Sequence, residues 1–358
     1  MGLNKLFWKG RRVFITGHTG FKGSWLSFWL AELGADVKGF SLVPDVSPNL
    51  YDTLSLGNRI ESVFGDIRNL DHLKRELAEF KPEVVFHMAA QAIVRTSYDD
   101  PIETFETNVI GTVNLLESVK FVKSIKAVIS VTSDKCYENR EWDWKYRESD
   151  PMGGWDPYSA SKGCAELVTA SFRRSYFQNG NSDSIKTGIA TARAGNVIGG
   201  GDWSKDRLIP DIMRSFSKQE PVVIRNPAAV RPWQYILDLL HGYMVLAEKL
   251  YKDPKRYSEA WNFGPSESDE RSVEFILNKM IETWGEGASW KLDKGVNPHE
   301  ASYLKLDSSK SRMNLGWNTK VTLPSALESL TSWYKNYFYG ADITEFTKSQ
   351  IREFEKHI

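Results

Sequence analysis

The chain has 358 residues, 41% of them hydrophobic, and its 46 basic side chains are balanced by 46 acidic ones. That length allows two domains, or one large domain with an elaboration, around a sizeable core. A net charge of zero excludes a chain-wide field that would recruit nucleic acid or an anionic membrane, so any phosphate-bearing ligand must be held locally.

In chain order, Arg11 to Thr16 reads as a short buried strand, followed by Gly17-His18-Thr19-Gly20-Phe21-Lys22-Gly23 and an apolar helical stretch from Ser24 to Leu30. Strand, glycine-rich turn and helix form a phosphate-gripping unit. Gly17, Gly20 and Gly23 let the backbone turn tightly and approach a pyrophosphate, and the helix start offers free N–H groups. His18 and Lys22 in this turn either touch the pyrophosphate or face solvent. The second strand, Asp36 to Phe40, is followed by Ser41 and Leu42, where an acid normally bonds the adenosine ribose of NAD. No arginine stands there to meet a 2′-phosphate, so NAD is expected ahead of NADP.

Strand three covers Ile60 to Ile67, a helical period runs from Leu70 to Phe80, and strand four, Val84 to Met88, ends at the small-residue turn Ala89-Ala90-Gln91. Pro101 to Lys120 reads as one long helix. Ala127 to Val131 is strand five, Ile185 to Ala192 strand six, Ile236 to Tyr251 an amphipathic helix and Ala260 to Gly264 a last strand. This alternation implies an α/β fold, a Rossmann-type doubly wound parallel sheet with its ligand at the carboxyl ends of the strands. Gly20, Ala90 and Ser133 all fall just past such ends.

The cluster Gly199-Gly200-Gly201 cannot be a stable helix and marks the passage to a smaller mixed α/β region. Arg207, Arg225 and Arg231 gather there, and guanidinium forks suit phosphate oxygens. The expected division gives residues 1–192 and 236–263 to a dinucleotide-binding domain, and 193–235 with 264–358 to a substrate-binding one. Tryptophans 284, 290, 317 and 333 are read as core, and Tyr339 to Ile358 as a charged helical tail. Cys136 and Cys164 have neither disulfide nor metal-ligand spacing, Met1 to Arg12 lacks a leader's apolar stretch, and no apolar run nears the ~20 residues of a membrane span. A reduced, metal-free cytoplasmic protein is expected.

Pro157-Tyr158-Ser159-Ala160-Ser161-Lys162 places Tyr158 and Lys162 at i and i+4, on one face of a helix. A cation one turn from a phenol favours the phenolate, so a tyrosine titrating near ~10 in water can act as a base near neutrality. Alone, such a spacing also describes two surface residues. With the glycine turn and a strand ending in Thr132-Ser133, however, the chain resembles the extended short-chain dehydrogenase/reductase superfamily. The resemblance implies NAD and a Ser133, Tyr158 and Lys162 triad. It also implies cofactor contacts from Gly17, His18, Gly20, Phe21, Lys22, Gly23, Ser41, Asp66, Ile67, Ala89, Ala90, Gln91 and Thr132, with Asn108 as the superfamily's structural asparagine. A sugar nucleotide would be held by Arg95, Arg193, Asn196, Arg207, Arg225, Arg231 and Tyr235.

The two residues after Ser133 discriminate among reactions. In the 4-epimerases of the superfamily small or apolar residues follow the catalytic Ser or Thr, whereas 4,6-dehydratases carry an acid and then usually Glu. Oxidising C4 acidifies the C5 proton; a base removes it, an acid protonates the departing C6 hydroxyl, and hydride returns to C6. Asp134 stands at the acid position. Lys135 stands at the base position, where a lysine depressed by burial and by Lys162 could take the proton, or a charged one could stabilise the enolate. Thr132 to Tyr137, Met152 to Tyr158, Arg193 to Trp203 and Val230 to Trp233 together resemble the CDP-glucose branch of these dehydratases. That implies NAD-dependent conversion of CDP-glucose to CDP-4-dehydro-6-deoxyglucose, feeding 3,6-dideoxyhexose synthesis for bacterial O-antigen. A 4,6-dehydratase, epimerase or reductase acting on another sugar nucleotide is the alternative, and a non-catalytic dinucleotide-binding regulator a third reading. Relatives pair the Tyr158 helix and the Pro101 helix in a four-helix contact, which implies a homodimer or homotetramer and suits Leu167, Val168 and Phe172.

Overall fold

A computed structural model describes residues 2–178, 187–293, 295 and 304–358. Its first six strands are β1 (Arg12–Thr16), β2 (Asp36–Ser41), β3 (Glu61–Phe64), β4 (Val84–His87), β5 (Ala127–Val131) and β6 (Gly188–Ala194). Then come β7 (Asn196–Ile198), β8 (Val222–Ile224), β9 (Val230–Tyr235), β10 (Ala260–Phe263), β11 (Glu270–Ser272) and β12 (Trp290–Leu292). Seven of them form one sheet in the order β10-β6-β5-β4-β1-β2-β3, and every neighbouring pair in it is parallel. Strand order reverses between β1 and β4, the place where doubly wound sheets bind ligands.

Side-chain alternation builds the layers. Val13 and Ile15 of β1, Val84 and Phe86 of β4 and Ala127 and Ile129 of β5 enter one apolar cluster. Phe14, Val85 and Val128, the residues between them, enter the other. Both faces of these strands are therefore buried, which is why they read as continuous apolar runs. Helices Phe21–Glu32 and Ile236–Lys252 cover the first face; Leu70–Phe80 and Gly111–Val119 cover the second.

The predicted helix from 101 to 120 is divided by a π turn, Glu106–Ile110, between Pro101–Phe105 and Gly111–Val119. Asn108 lies in that wider turn, a feature common at functional positions. Of the predicted strand six, residues 185 and 186 lie outside the described residues, and the observed strand begins at Gly188.

Strands β7, β9 and β11 make a separate three-stranded sheet, and β8 pairs with β12. Helix Leu323–Phe338 joins this part to the main core: Trp333 is fully buried, and a Cβ at Gly200 would lie 2.1 Å from its ring. From the other side Trp25 Nε1 donates to the Gly200 carbonyl at 2.9 Å. The glycine cluster of 199–201 is thus clamped between two tryptophans, and its missing side chains are a packing requirement. Among the described residues no helix is long and apolar enough to cross a membrane.

Candidate active site

A cleft of about 300 Å³ opens at the carboxyl ends of β1 and β2, with Gly17, Gly20, Phe21, Ser41, Asp66, Ile67, Ala89 and Ala90 in its walls. Gly17 has φ +77°, and a Cβ there would lie 2.6 Å from the Ala89 amide nitrogen. Only glycine permits that backbone and that approach. Gly23 acts differently: a Cβ there would stand 2.0 Å from the Gly17 carbonyl oxygen, so it seats the helix on the turn and is not among the cleft's wall residues.

The two unusual residues of the turn differ, the first being buried and the second half-buried. The His18 side chain is fully buried, packed on Gly39 and edge-on to Tyr51 at 5.5 Å. Burial lowers it to about 4 against the opposing Phe40 carbonyl, so the ring is neutral. The solvent-facing alternative does not hold for it. Lys22 is lowered to about 8 by burial and by Arg207, while Asp134 and Asp202 pull it the other way. Those influences place it within electrostatic reach of the Ser133 turn.

Ser133 follows β5 and caps the short turn Asp134–Cys136. Its hydroxyl donates to Asp134 Oδ1 at 3.0 Å and accepts the Lys135 amide at 3.2 Å. Asp134 is 1% exposed, and its Oδ2 has no hydrogen-bond partner. Lys135 Nζ lies 3.8 Å from Asp134 Oδ1, with its side chain part-exposed. One turn thus carries a hydroxyl, a carboxyl and an amine.

Helix Pro157–Phe172 starts with proline at its first position, where no N–H is needed, and Asp156 caps it by accepting the Ser159 amide at 2.9 Å. Lys162 Nζ lies 6.0 Å from the Tyr158 ring centroid, so both residues share the face turned to Ser133. The electrostatics differ from the sequence expectation. Burial raises the Tyr158 phenol and outweighs the lowering by Lys135, the Ser133 hydroxyl and Arg207. Burial, assisted by Lys22, brings Lys162 itself down to about 7. Spacing put the pair on one face, but desolvation penalises both charged forms.

Several expected ligand contacts are internal braces. Asn108 accepts the Gln91 amide and donates to the Gln91 carbonyl, each at 2.9 Å, and donates to Ser161 Oγ at 2.8 Å. Ser161 in turn donates to the Tyr158 carbonyl at 2.7 Å, so Asn108 ties the Ala89–Gln91 turn to the Tyr158 helix. Thr132 Oγ1 donates to Glu166 at 2.5 Å.

Arg193 is the clear correction. All three of its guanidinium nitrogens are engaged, on Glu166 at 2.8 and 2.9 Å and on Tyr137 Oη at 2.7 Å. At 3% exposure it has no fork left for a substrate phosphate. Glu166 was missed, although Tyr158, Lys162 and Glu166 repeat every four residues along one helix face.

The other substrate-side residues divide. Arg207 pairs with Asp202 at 3.1 Å and lies close enough to Tyr158 to influence it. Arg95 pairs with Asp206 at 2.9 Å, and Arg231 donates to the Val230 carbonyl at 3.0 Å. Arg225 directly follows β8. Asn196 Oδ1 is buried without a partner. Tyr235 is buried, with its hydroxyl 3.1 Å from Ser329 Oγ, and is pushed up to about 12 by burial. Asp202 and Trp203, at the end of the Arg193 to Trp203 stretch, also stand in the cleft wall.

This arrangement has known counterparts. The chain is 55% identical over 352 residues, 98% of each chain, to CDP-glucose 4,6-dehydratase of Salmonella typhimurium. It is 34% identical to CDP-paratose 2-epimerase of Salmonella typhi, over 90% of this chain and 98% of that one. Among solved structures, UDP-glucose 4-epimerase of Thermotoga maritima with UDP-glucose superposes with a TM-score of 0.79 at 21% identity, covering 91% of this chain and 99% of that one. dTDP-glucose 4,6-dehydratase of Bacillus anthracis in complex with NAD gives 0.76 at 22% identity, covering 91% and 97%. A family model described as GDP-mannose 4,6 dehydratase matches residues 14–330, and the chain belongs to that family.

Proposed function

We propose that the protein converts CDP-glucose to CDP-4-dehydro-6-deoxyglucose and water, with NAD. The observation that carries this reading is Asp134, a buried carboxyl beside Ser133 and Lys135 with one oxygen unpartnered. Simple oxidation and reduction at C4 would have no use for it, whereas expulsion of a hydroxyl from C6 needs an acid there. The likeness to the Salmonella typhimurium protein supports the CDP-sugar substrate. The glycine cradle at Gly17 and Ala89 and the Gly20 helix start fit the pyrophosphate of NAD. When bound, NAD supplies an acceptor for hydride from C4 and a donor of it to C6.

The chain's own groups supply the proton steps. Tyr158 takes the C4 hydroxyl proton, with Ser133 orienting that oxygen. Lys135 takes the C5 proton made acidic by the C4 ketone. Asp134 protonates the C6 oxygen, which leaves as water, and C5 is reprotonated as hydride reaches C6. Lys22, Lys162 and Arg207 surround this turn with positive potential, suited to the enolate and to the substrate diphosphate.

In this reading residues 1–192 and 236–263 bind NAD and residues 193–235 and 264–358 bind the sugar nucleotide. The protein acts in the cytoplasm in 3,6-dideoxyhexose synthesis for O-antigen, and it assembles at least as a homodimer. Ile102, Ile110 and Leu167, which are 71%, 49% and 61% exposed on the two packed helices, support that contact. The test is incubation with CDP-glucose and NAD in deuterated water. The expected product is a 4-keto-6-deoxy sugar nucleotide carrying deuterium at C5, without accumulating NADH. Stoichiometric NADH, or a C4 epimer unlabelled at C5, would overturn the reading.

A further inference from the structure

Strand β2 ends without the acid that ordinarily holds the adenosine ribose, and its end residue cannot replace one. Thr19 Oγ1 donates to the Leu42 carbonyl at 3.1 Å, so in its 2.8 Å contact with Ser41 the serine must be the donor. Ser41 is left with lone pairs alone and no charge. The chain then runs along the cleft, and Asp45 enters the same wall as Ser41, Asp66 and Arg68. Asp45 is exposed, and among the described residues its carboxylate has no hydrogen bond or ion pair.

The cation in this wall is committed elsewhere. Arg68 forks onto Asp66, with Nη2 2.7 Å and Nε 3.0 Å from Oδ2, and its Nη1 meets Glu106 at 3.3 Å. The adenosine end therefore offers one uncommitted carboxylate and no uncommitted arginine or lysine among the cleft residues. Vicinal ribose hydroxyls can donate to such a carboxylate, while a 2′-phosphate would be repelled by it.

We infer that Asp45 selects NAD over NADP, taking over from four residues downstream the role vacated at the end of β2. The inference rests on the reading of the cleft as an NAD site. Its test is fluorescence titration of the purified full-length protein with NADH and with NADPH. The unaltered protein should bind NADH about tenfold tighter or more, and Asp45→Asn should shrink that ratio about fivefold, chiefly by strengthening NADPH binding. Asp45→Glu should keep the ratio within about twofold, because it restores the charge. No discrimination in the unaltered protein, or an unchanged ratio in Asp45→Asn, would overturn the inference. Failure to bind either dinucleotide would sink the NAD reading with it, whereas selective NADH binding without turnover of CDP-glucose would sink the dehydratase reading alone.

Discussion

The two sides of the cleft are made of different material. The dinucleotide side is shaped by main chain: a left-handed Gly17 against the Ala89 amide, Gly23 under the Gly17 carbonyl, and a helix opening at Gly20. The arginines expected to hold the sugar nucleotide are instead long charged side chains engaged within the protein, Arg193 on Glu166, Arg207 on Asp202 and Arg95 on Asp206, and of these six residues Asp202 is the one in the cleft wall. Main-chain shape follows from local sequence, since a residue without a Cβ is required wherever backbones close to within contact. A charged side chain takes its role from partners that lie far away in the chain.

Substitutions at the junction of the two sides test this contrast most strongly. Tyr158→Phe should lower kcat by about 10³-fold or more while NADH affinity changes less than about threefold, because the phenol moves a proton and the cradle is main chain. Steady-state rates and fluorescence titration check the two parts separately. A parallel collapse of affinity would mean that Tyr158 shapes the cradle. Asp134→Asn should still oxidise C4 but lose about 10²-fold or more in product formation, with reduced cofactor visible by absorbance in a single turnover.

A sharper comparison lies between two arginines that look alike in sequence. Arg193→Ala leaves Glu166 buried and unpaired, and should cost about 3–5 kcal/mol in urea unfolding. Arg207 is partly exposed, and its partner Asp202, although buried, lines the cleft and keeps the Ser204 amide at 3.1 Å when the arginine is gone. Arg207→Ala should change stability by less than about 1 kcal/mol but raise KM for CDP-glucose about tenfold. If the stability losses matched, the two arginines would share one structural role.

The same contrast decides what was legible. The parallel strands could be read because the interior ones are buried on both faces and β-rich, whereas the edge strand β3 is only partly buried and was recognised by its place in the alternation. The phosphate turn could be read from three glycines. Ser133, Asp134, Tyr158 and Lys162 could be placed because a strand end and a helical turn fix them relative to their neighbours. Arg193 was misread because its partner Glu166 lies on another element, and a charge one residue from a strand end looks the same whether it meets phosphate or carboxylate. The π turn at Asn108 left no periodic trace. Asp45 was invisible because nothing local says which wall a loop will follow.

Protonation was the least legible layer, because spacing reports neighbours but not burial. Lys162 falls from 10.5 to about 7 on folding, so between those values the unfolded chain binds more protons than the folded one. Its contribution therefore makes stability rise with pH across that window, and Lys22, lowered to about 8, acts with the same sign. Asp238 and Glu248, which burial raises to about 7, act oppositely, but their effect is spent once pH passes that value. Between about pH 8 and pH 9.5 the cofactor-free protein should gain stability in urea titrations, and Lys162→Met should flatten the gain while being the more stable form at pH 8. An unchanged slope in the variant would place the ammonium of Lys162 in water, so that burial at this end of the cleft would reach Asp134 but not the lysine one helical turn beyond Tyr158.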